Sequence, residues 1–204
     1  MPARLTRRQA VLGGAAFAGL AAASACSTPP PSEPAIPAIR FDAAPPIRLN
    51  VGAIGISDET PAPPASPDWG KVFATLPRDA MRNWGEDRLA PAPAPAGGAA
   101  GTARFRIAEA LVQHQPGEAV KGVFKAPRRE TFTVRVAGVL EVPPQDGRAG
   151  GTASANAWGQ ESLEADTAPY ARKLALDGLV RRVMAEFDRE MERAVRANMA
   201  ELLA

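Results

Sequence analysis

The chain contains very few of the residues that build disulfides and metal centres. Its 204 residues include one Cys and one His. A single cysteine excludes an intramolecular disulfide framework and a cysteine-based zinc site, and a single histidine excludes a multi-histidine metal site. A catalytic triad would depend on His114, and no Gly-x-Ser-x-Gly elbow accompanies it. The sequence also lacks a P-loop and calcium-loop spacing, so we expect no metal and no cofactor.

The chain also lacks an apolar run of the roughly 20 residues that a membrane-spanning helix needs. The apolar stretch near its start covers only residues 11–25 and is rich in Ala and Gly. Arg4, Arg7 and Arg8 precede this stretch. A basic start, a short apolar stretch and small residues before a break are typical of a secretory signal. We therefore predict a signal peptide over residues 1–25.

The only cysteine lies where this signal ends. Residues 23–26 (Ala-Ser-Ala-Cys) resemble a bacterial lipobox, in which the cysteine becomes the lipid-modified first residue of the mature protein. Ala23 replaces the usual Leu. We predict acylation of Cys26, with palmitate among its acyl chains, and several acyl chains on one residue suffice for stable anchoring. Because Ser27 rather than Asp follows, we expect the outer membrane. The alternative is an ordinary signal peptide with an incidental cysteine.

The arginine pair suggests an export route. Residues 6–12 (Thr-Arg-Arg-Gln-Ala-Val-Leu) resemble a twin-arginine export signal, with Ala10 where the pattern has Phe. In that reading Arg7 and Arg8 are the export signal, and the protein crosses the inner membrane already folded. The general secretory route is the alternative, because two adjacent arginines can also occur there by chance.

The formal net charge of +2 belongs to the precursor. Removal of residues 1–25 takes three arginines away, which leaves 21 of the 24 basic residues against 22 acidic ones. The mature chain then has a net charge of −1 and offers no compositional support for nucleic-acid binding. We expect no nucleic-acid partner.

Proline dominates the region that follows the cysteine. Such a stretch favours extended conformations and acts as a semi-rigid spacer. We predict an acylated cysteine and Pro-rich tether over residues 26–46 and a single periplasmic domain over residues 47–204. A partner-binding proline motif is the alternative for the tether.

Hydrophobic periodicity predicts the elements of this domain. Apolar residues alternate with other residues over 47–53 and continue out of phase over 54–56, which indicates a first strand with a bulge. Asp68 is a candidate N-cap of a helical segment that Pro77 should split. Residues 103–113 and 131–142 alternate as strands, and residues 151–160 fit a hairpin partner. Apolar residues three and four apart predict an amphipathic helix from about residue 169 to residue 202.

The element order β-α-β-β-β-α predicts an α+β domain. We expect a mostly antiparallel sheet of about four strands with two helices packed on one face. The apolar stripe of the last helix should face the core, and its members are Leu176, Leu179, Val180, Val183, Phe187, Met191, Val195 and Met199. Met184 is likewise expected in the core rather than in a ligand site.

Few side chains stand out as candidates for binding. Lys121, Lys125, Arg128 and Arg129 could contact lipid phosphates or an acidic partner, and the alternative is a solvated loop. His114, flanked by two glutamines, is expected at the surface. The three tryptophans are expected in the core or at its edge, with a lipid-binding groove as the alternative; they are Trp69, Trp84 and Trp158.

Two runs of the mature chain resemble a known group of proteins. Residues 84–89 (Trp-Gly-Glu-Asp-Arg-Leu) and residues 101–107 (Gly-Thr-Ala-Arg-Phe-Arg-Ile) look like small envelope lipoproteins of alphaproteobacteria. Residues 151–155 and the charged C-terminal helix agree with this resemblance, while Gly85 replaces the usual Ala. More remotely, the layout resembles auxiliary lipoproteins of envelope lipid-transport systems. The resemblance carries no catalytic residue over.

The resemblance and the signal together imply a non-enzymatic envelope lipoprotein. We expect it to be lipid-anchored, to face the periplasm, and to act as an accessory in envelope assembly or lipid transport that binds a protein partner or lipid. The alternatives are an envelope hydrolase that uses carboxylates and a purely structural domain.

Overall fold

The computed structural model describes residues 33–61, 67–93, 101–117, 128–144 and 149–204. The chain divides into two compact units, Met1–Pro34 and Ala35–Ala204, and the described residues belong almost entirely to the second. Its elements are β1 (Ile47–Leu49), β2 (Ala53–Asp58), α1 (Trp69–Val72), α2 (Pro77–Arg88), β3 (Leu89–Pro91), β4 (Thr102–Gln115), β5 (Arg129–Val142), β6 (Gly151–Glu164) and α3 (Pro169–Asn198), with a 3-10 turn at Ala200–Leu202.

The main sheet has the strand order β2-β4-β5-β6. The long strands β4, β5 and β6 are antiparallel neighbours. β2 is parallel to β4, because α1 and α2 carry the chain back along the sheet before β4 begins. The α+β class, the mostly antiparallel sheet and the long C-terminal helix predicted from the sequence are confirmed.

The first predicted strand proves to be two strands in different sheets. β1 pairs in parallel with β3, whereas β2 pairs with β4. Between them Val51 is buried, and the N–H of Gly52 donates to the carbonyl of Gly101 at 3.0 Å. The change of phase in residues 47–56 therefore marks a change of sheet rather than a bulge.

One face of the main sheet is buried against α2 and α3. β5 contributes a continuous apolar row, which consists of Phe132, Val134, Val136, Leu140 and Val142. Within this row Gly138 leaves room for two rings, since a Cβ there would lie 2.8 Å from Phe105 and 3.0 Å from Phe187. β6 presents alanines on the same face, and these small side chains let α3 approach closely.

The helices follow the apolar pattern of the sequence. Every predicted member of the α3 stripe is buried, and so is Met184. Pro77 is the first residue of α2 and separates it from α1. Asp68 caps α1, where its side chain accepts a hydrogen bond from the N–H of Gly70 at 3.2 Å. Among the described helices, none is long and apolar enough to cross a membrane.

The compact unit includes part of the segment that was expected to be tether. Ile39 is buried in the core, and its carbonyl accepts a hydrogen bond from Asn83 at 3.0 Å. The carbonyl of Pro37 accepts one from Arg181 at 2.8 Å, and the N–H of Phe41 donates to Asp87 at 2.8 Å. Residues 37–41 therefore lie along α2 and α3, within the unit Ala35–Ala204.

A buried arginine connects α2, α3 and the segment that precedes β1. Arg88 of α2 has an exposed fraction of 2%. Its Nε donates to Asp188 at 2.8 Å and its Nη2 to Glu192 at 2.9 Å, both on α3. It also donates to the carbonyl of Pro45. Trp84 donates its indole N–H to the same Asp188 at 2.8 Å, so this partly buried carboxylate has two donors.

Candidate binding groove at the edge of strand β4

A large and mainly apolar opening in the described part of the structure lies beside β4. This groove has a volume of about 850 Å³ and opens between β4 and the start of α1 and α2. Its lining is mainly apolar, and consists of Thr60, Pro61, Pro67, Asp68, Trp69, Gly70, Leu76, Pro77, Arg78, Ala108, Glu109, Ala110, Leu111 and Val112. A mostly apolar cleft of this size with a few polar groups is typical of a binding site.

The groove forms because the pairing of β4 with β2 ends where β4 has a bulge. β2 pairs with β4 only as far as Ile107, and the register between β4 and β5 shifts between Ile107 and Glu109. From Glu109 to Gln115, β4 pairs with β5 on one side and with no described strand on the other. This segment is the free edge of β4.

Aromatic packing holds one wall of the groove in place. The ring of Trp69 meets Phe73, His114 and Phe132 edge to face, with centroid distances of 6.0, 6.2 and 6.4 Å. Such contacts fix the indole at the start of α1, where it is only partly buried. Trp69 therefore presents apolar surface to the groove in a defined orientation.

Thr60 and Arg78 form a polar end of the groove, and both contact Asp58 beside it. The hydroxyl of Thr60 donates to Asp58 Oδ1 at 2.5 Å, and Arg78 lies 3.1 Å from Oδ2. Burial raises the pKa of Asp58, but the hydrogen bonds from Thr60 and the charges of Arg78 and Arg82 outweigh it, so the pKa lies below its usual value. Arg78 also donates to Thr60 Oγ1 at 2.6 Å, so this cation already has both an ion-pair partner and a hydrogen-bond acceptor within the protein.

The remaining charged groups of the lining are acidic. Asp68 and Glu109 are carboxylates, and Glu109 has no ion-pair partner among the described residues. Lys71 lies 3.4 Å from Asp68, but both side chains are largely exposed and such a pair contributes little. The rim of the groove therefore favours a cationic partner.

On the face of the sheet away from α2 and α3, two exposed apolar side chains lie on either side of an arginine. Leu111, Arg135 and Trp158 are register partners across β4, β5 and β6. Leu111 is 40% exposed and Trp158 is 64% exposed. The expectation of a core position is confirmed for Trp84 and wrong for Trp158, because no helix of the described residues covers the face of β6 that bears Trp158.

His114 is more enclosed than a surface residue. Its ring stacks on Phe132 with a centroid distance of 4.7 Å, and its Nε2 lies 3.2 Å from Glu130 Oε2. Arg172 donates to the same carboxylate oxygen at 3.0 Å. His114 was expected at the surface, but its imidazole on β4 is partly buried against β5 and α1.

The site residues expected from the sequence are only partly visible. Arg7, Arg8, Cys26, Lys121 and Lys125 lie outside the described residues. Arg128 and Arg129 are exposed at the start of β5, where Arg128 Nη2 lies 3.5 Å from the carbonyl of Gly117. Within the described ranges, no group of three or more His, Cys, Asp or Glu side chains could hold a metal ion.

The sequence alone does not predict the groove, although one feature of β4 indicates it. The strict alternation of β4 ends at residue 107, and residues 110–112 are three consecutive apolar residues. Such a break marks a change of phase within a strand. The groove also needs Trp69 and Leu76, which lie far away in sequence and reach β4 only through the fold.

Comparisons with known proteins give low similarity. No protein-family model matches the chain, and no curated protein matches it. The fold is similar to a minor lipoprotein from Acinetobacter baumannii, with a TM-score of 0.30 and 13% identity over 69% of this chain and 93% of that one. It is also similar to the rare lipoprotein B from Shewanella oneidensis, with a TM-score of 0.35 and 13% identity over 71% and 95% of the two chains. Similarity at this level assigns neither an activity nor a partner.

Proposed function

We propose that this protein is a lipid-anchored envelope lipoprotein that faces the periplasm and has a non-enzymatic accessory role. It acts in envelope assembly or lipid transport and binds a protein partner or lipid. Its anchor is an acylated Cys26, and the outer membrane is its location because Ser27 follows the cysteine.

One observation carries this proposal. The only cysteine of the chain lies directly after a basic start and a short apolar stretch, and the compact unit begins soon afterwards, at Ala35. A thiol at that junction can accept a lipid. The groove beside β4 supports the binding role, because it offers an open apolar surface on a rigid unit.

Arg7 and Arg8 form the export signal in this proposal, and the route is the twin-arginine pathway. Replacement of both by Lys keeps the charge but should stop export, so the protein should accumulate in the cytoplasm as a precursor. Cell fractionation and the size of the precursor measure this. Export at the original level would assign the protein to the general secretory route.

Lys121, Lys125, Arg128 and Arg129 remain a proposed contact for an anionic partner. All four changed to Gln should weaken attachment of the anchored protein to anionic vesicles at low salt, and the salt dependence should become shallower. Arg193, an exposed arginine paired with Glu190 on α3, is a matched position for a control substitution.

The accessory role is tested by crosslinking in intact envelopes. An accessory protein should give a crosslinked product with a defined envelope component, and Cys26→Ser should abolish this product without loss of the protein. Ser27→Ala, next to the modified residue, is the control and should retain it. A product that forms equally with Cys26→Ser would show that the anchor does not place the protein beside its partner.

A further inference from the structure

We propose that the free edge of β4 and the groove beside it bind an extended segment of a partner protein, which adds to the sheet as a further strand. The segment carries apolar side chains that alternate with basic ones. This inference rests on the proposed accessory function and names the class of its partner.

The direction of the backbone groups supports strand addition. The N–H of Glu59 donates to the carbonyl of Ile107 at 3.0 Å, so residues of β4 with side chains on the helix-covered face direct their peptide groups toward β2. Beyond the bulge, Ala110, Val112 and His114 continue this face. In a strand of L-residues, the face that a side chain occupies fixes the side to which the N–H and C=O of that residue point. The peptide groups of Ala110, Val112 and His114 therefore point to the same side as those of Ile107, which beyond the bulge is the free edge.

A free edge of this kind is a template for another strand. Unpaired N–H and C=O groups in a row bind an extended peptide through main-chain hydrogen bonds. Residues 109–115 contain no Pro and no Lys, which are common protections of a sheet edge, and Glu109 is their only charged residue other than His114. The main-chain bonds would give affinity without requiring a particular sequence.

The groove determines which side chains the added segment needs. Successive side chains of a strand point to opposite faces, so every second residue would enter the groove between β4 and the wall formed by Trp69 and Leu76. This wall and Val112 are apolar, and they favour aliphatic or aromatic side chains at those positions.

Charge selects a peptide rather than a phospholipid. The carboxylates of Asp68 and Glu109 lie in the lining, whereas Arg78 is already satisfied by Asp58 and Thr60. A lipid phosphate would be repelled by these carboxylates, but Lys or Arg side chains on the alternate positions of a peptide would be attracted.

The test measures binding of two synthetic nine-residue peptides to the full-length mature protein in detergent. One peptide alternates Leu with Lys, and the other alternates Leu with Glu. The Leu-Lys peptide should bind at least about tenfold more tightly, and Glu109→Lys should reduce this preference. Hydrogen exchange should show protection of the amides of Ala110, Val112 and His114 when the Leu-Lys peptide is bound.

Two controls separate strand addition from other binding. Leu111→Lys should weaken the Leu-Lys peptide about tenfold, whereas Leu174→Lys, at another exposed leucine, should not. N-methylation of one alternate set of peptide residues should abolish binding, and methylation of the other set should leave it unchanged, because only one set of N–H groups faces β4.

Three results would overturn the inference: no binding of the Leu-Lys peptide, equal binding by both methylated peptides, or displacement of the peptide by phosphatidylglycerol vesicles that protect no β4 amide. The last result would assign the groove to lipid. None of them affects acylation of Cys26, so this inference and the proposed anchoring fail separately.

Discussion

At the scale of single residues, buried charge is the feature with the largest energetic consequence. Arg88 is a buried cation, and its two carboxylates, Asp188 and Glu192, come from a different helix. A buried ion pair adds little net stability compared with apolar packing, but loss of one partner leaves the other buried and unpaired. Substitution at Arg88 therefore tests how α2 and α3 are held together.

Arg88→Met should lower the free energy of unfolding by about 1–3 kcal/mol, because the partly buried carboxylates of Asp188 and Glu192 and the carbonyl of Pro45 would lose their donor. Urea unfolding followed by circular dichroism measures this change. Arg193→Met is the control, since Arg193 forms an exposed pair with Glu190 and should cost less than about 1 kcal/mol. A loss below about 1 kcal/mol for Arg88→Met would contradict this account of the core.

Asp58 should make stability depend on pH in the acid range. Its folded pKa is lowered, so its contribution is complete above the unfolded value near 3.9 and is lost as the pH falls through the folded pKa. Asp58→Asn should cost about 1–3 kcal/mol at pH 7 and should flatten the loss of stability below pH 4. Asp166→Asn, at an exposed turn, should change neither. If wild type and Asp58→Asn lost stability in parallel below pH 4, the pH dependence would not come from Asp58.

At the scale of elements, hydrophobic periodicity predicts which side chains of a helix or strand face the core. The stripe of α3 and the apolar row of β5 follow directly from spacing, because each element has one face that must be buried. Trp158 could not be placed in this way, since its strand alternates equally well with either face inward. The split of residues 47–56 between two sheets depends on β3 and β4, which are remote in sequence.

Leu179→Asp tests the role of the α3 stripe. Leu179 is 1% exposed, and a carboxylate there would be buried without a partner. We expect a loss of several kcal/mol, enough to unfold most of a marginally stable domain. Thermal unfolding measures it, with Leu174→Asp on the exposed side of the same helix as the control, expected within about 0.5 kcal/mol of wild type. A folded Leu179→Asp protein would mean that the stripe does not face a core.

At the scale of the whole molecule, the sequence and the structure describe different parts of the function. The predicted signal, the resemblance to a lipobox and the predicted charge change on processing rest on a linear segment, so the sequence alone suggests them. The groove depends on a bulge in β4 and on α1, so it becomes visible only when the chain is folded.

The central claim is that Cys26 carries the lipid anchor. Metabolic labelling with palmitate, followed by purification of the protein, tests it most directly. The account predicts labelled wild-type protein, equally labelled Ser27→Ala protein, and complete loss of label in Cys26→Ser protein. Label that remains in Cys26→Ser protein, or wild-type protein without label, would contradict the claim.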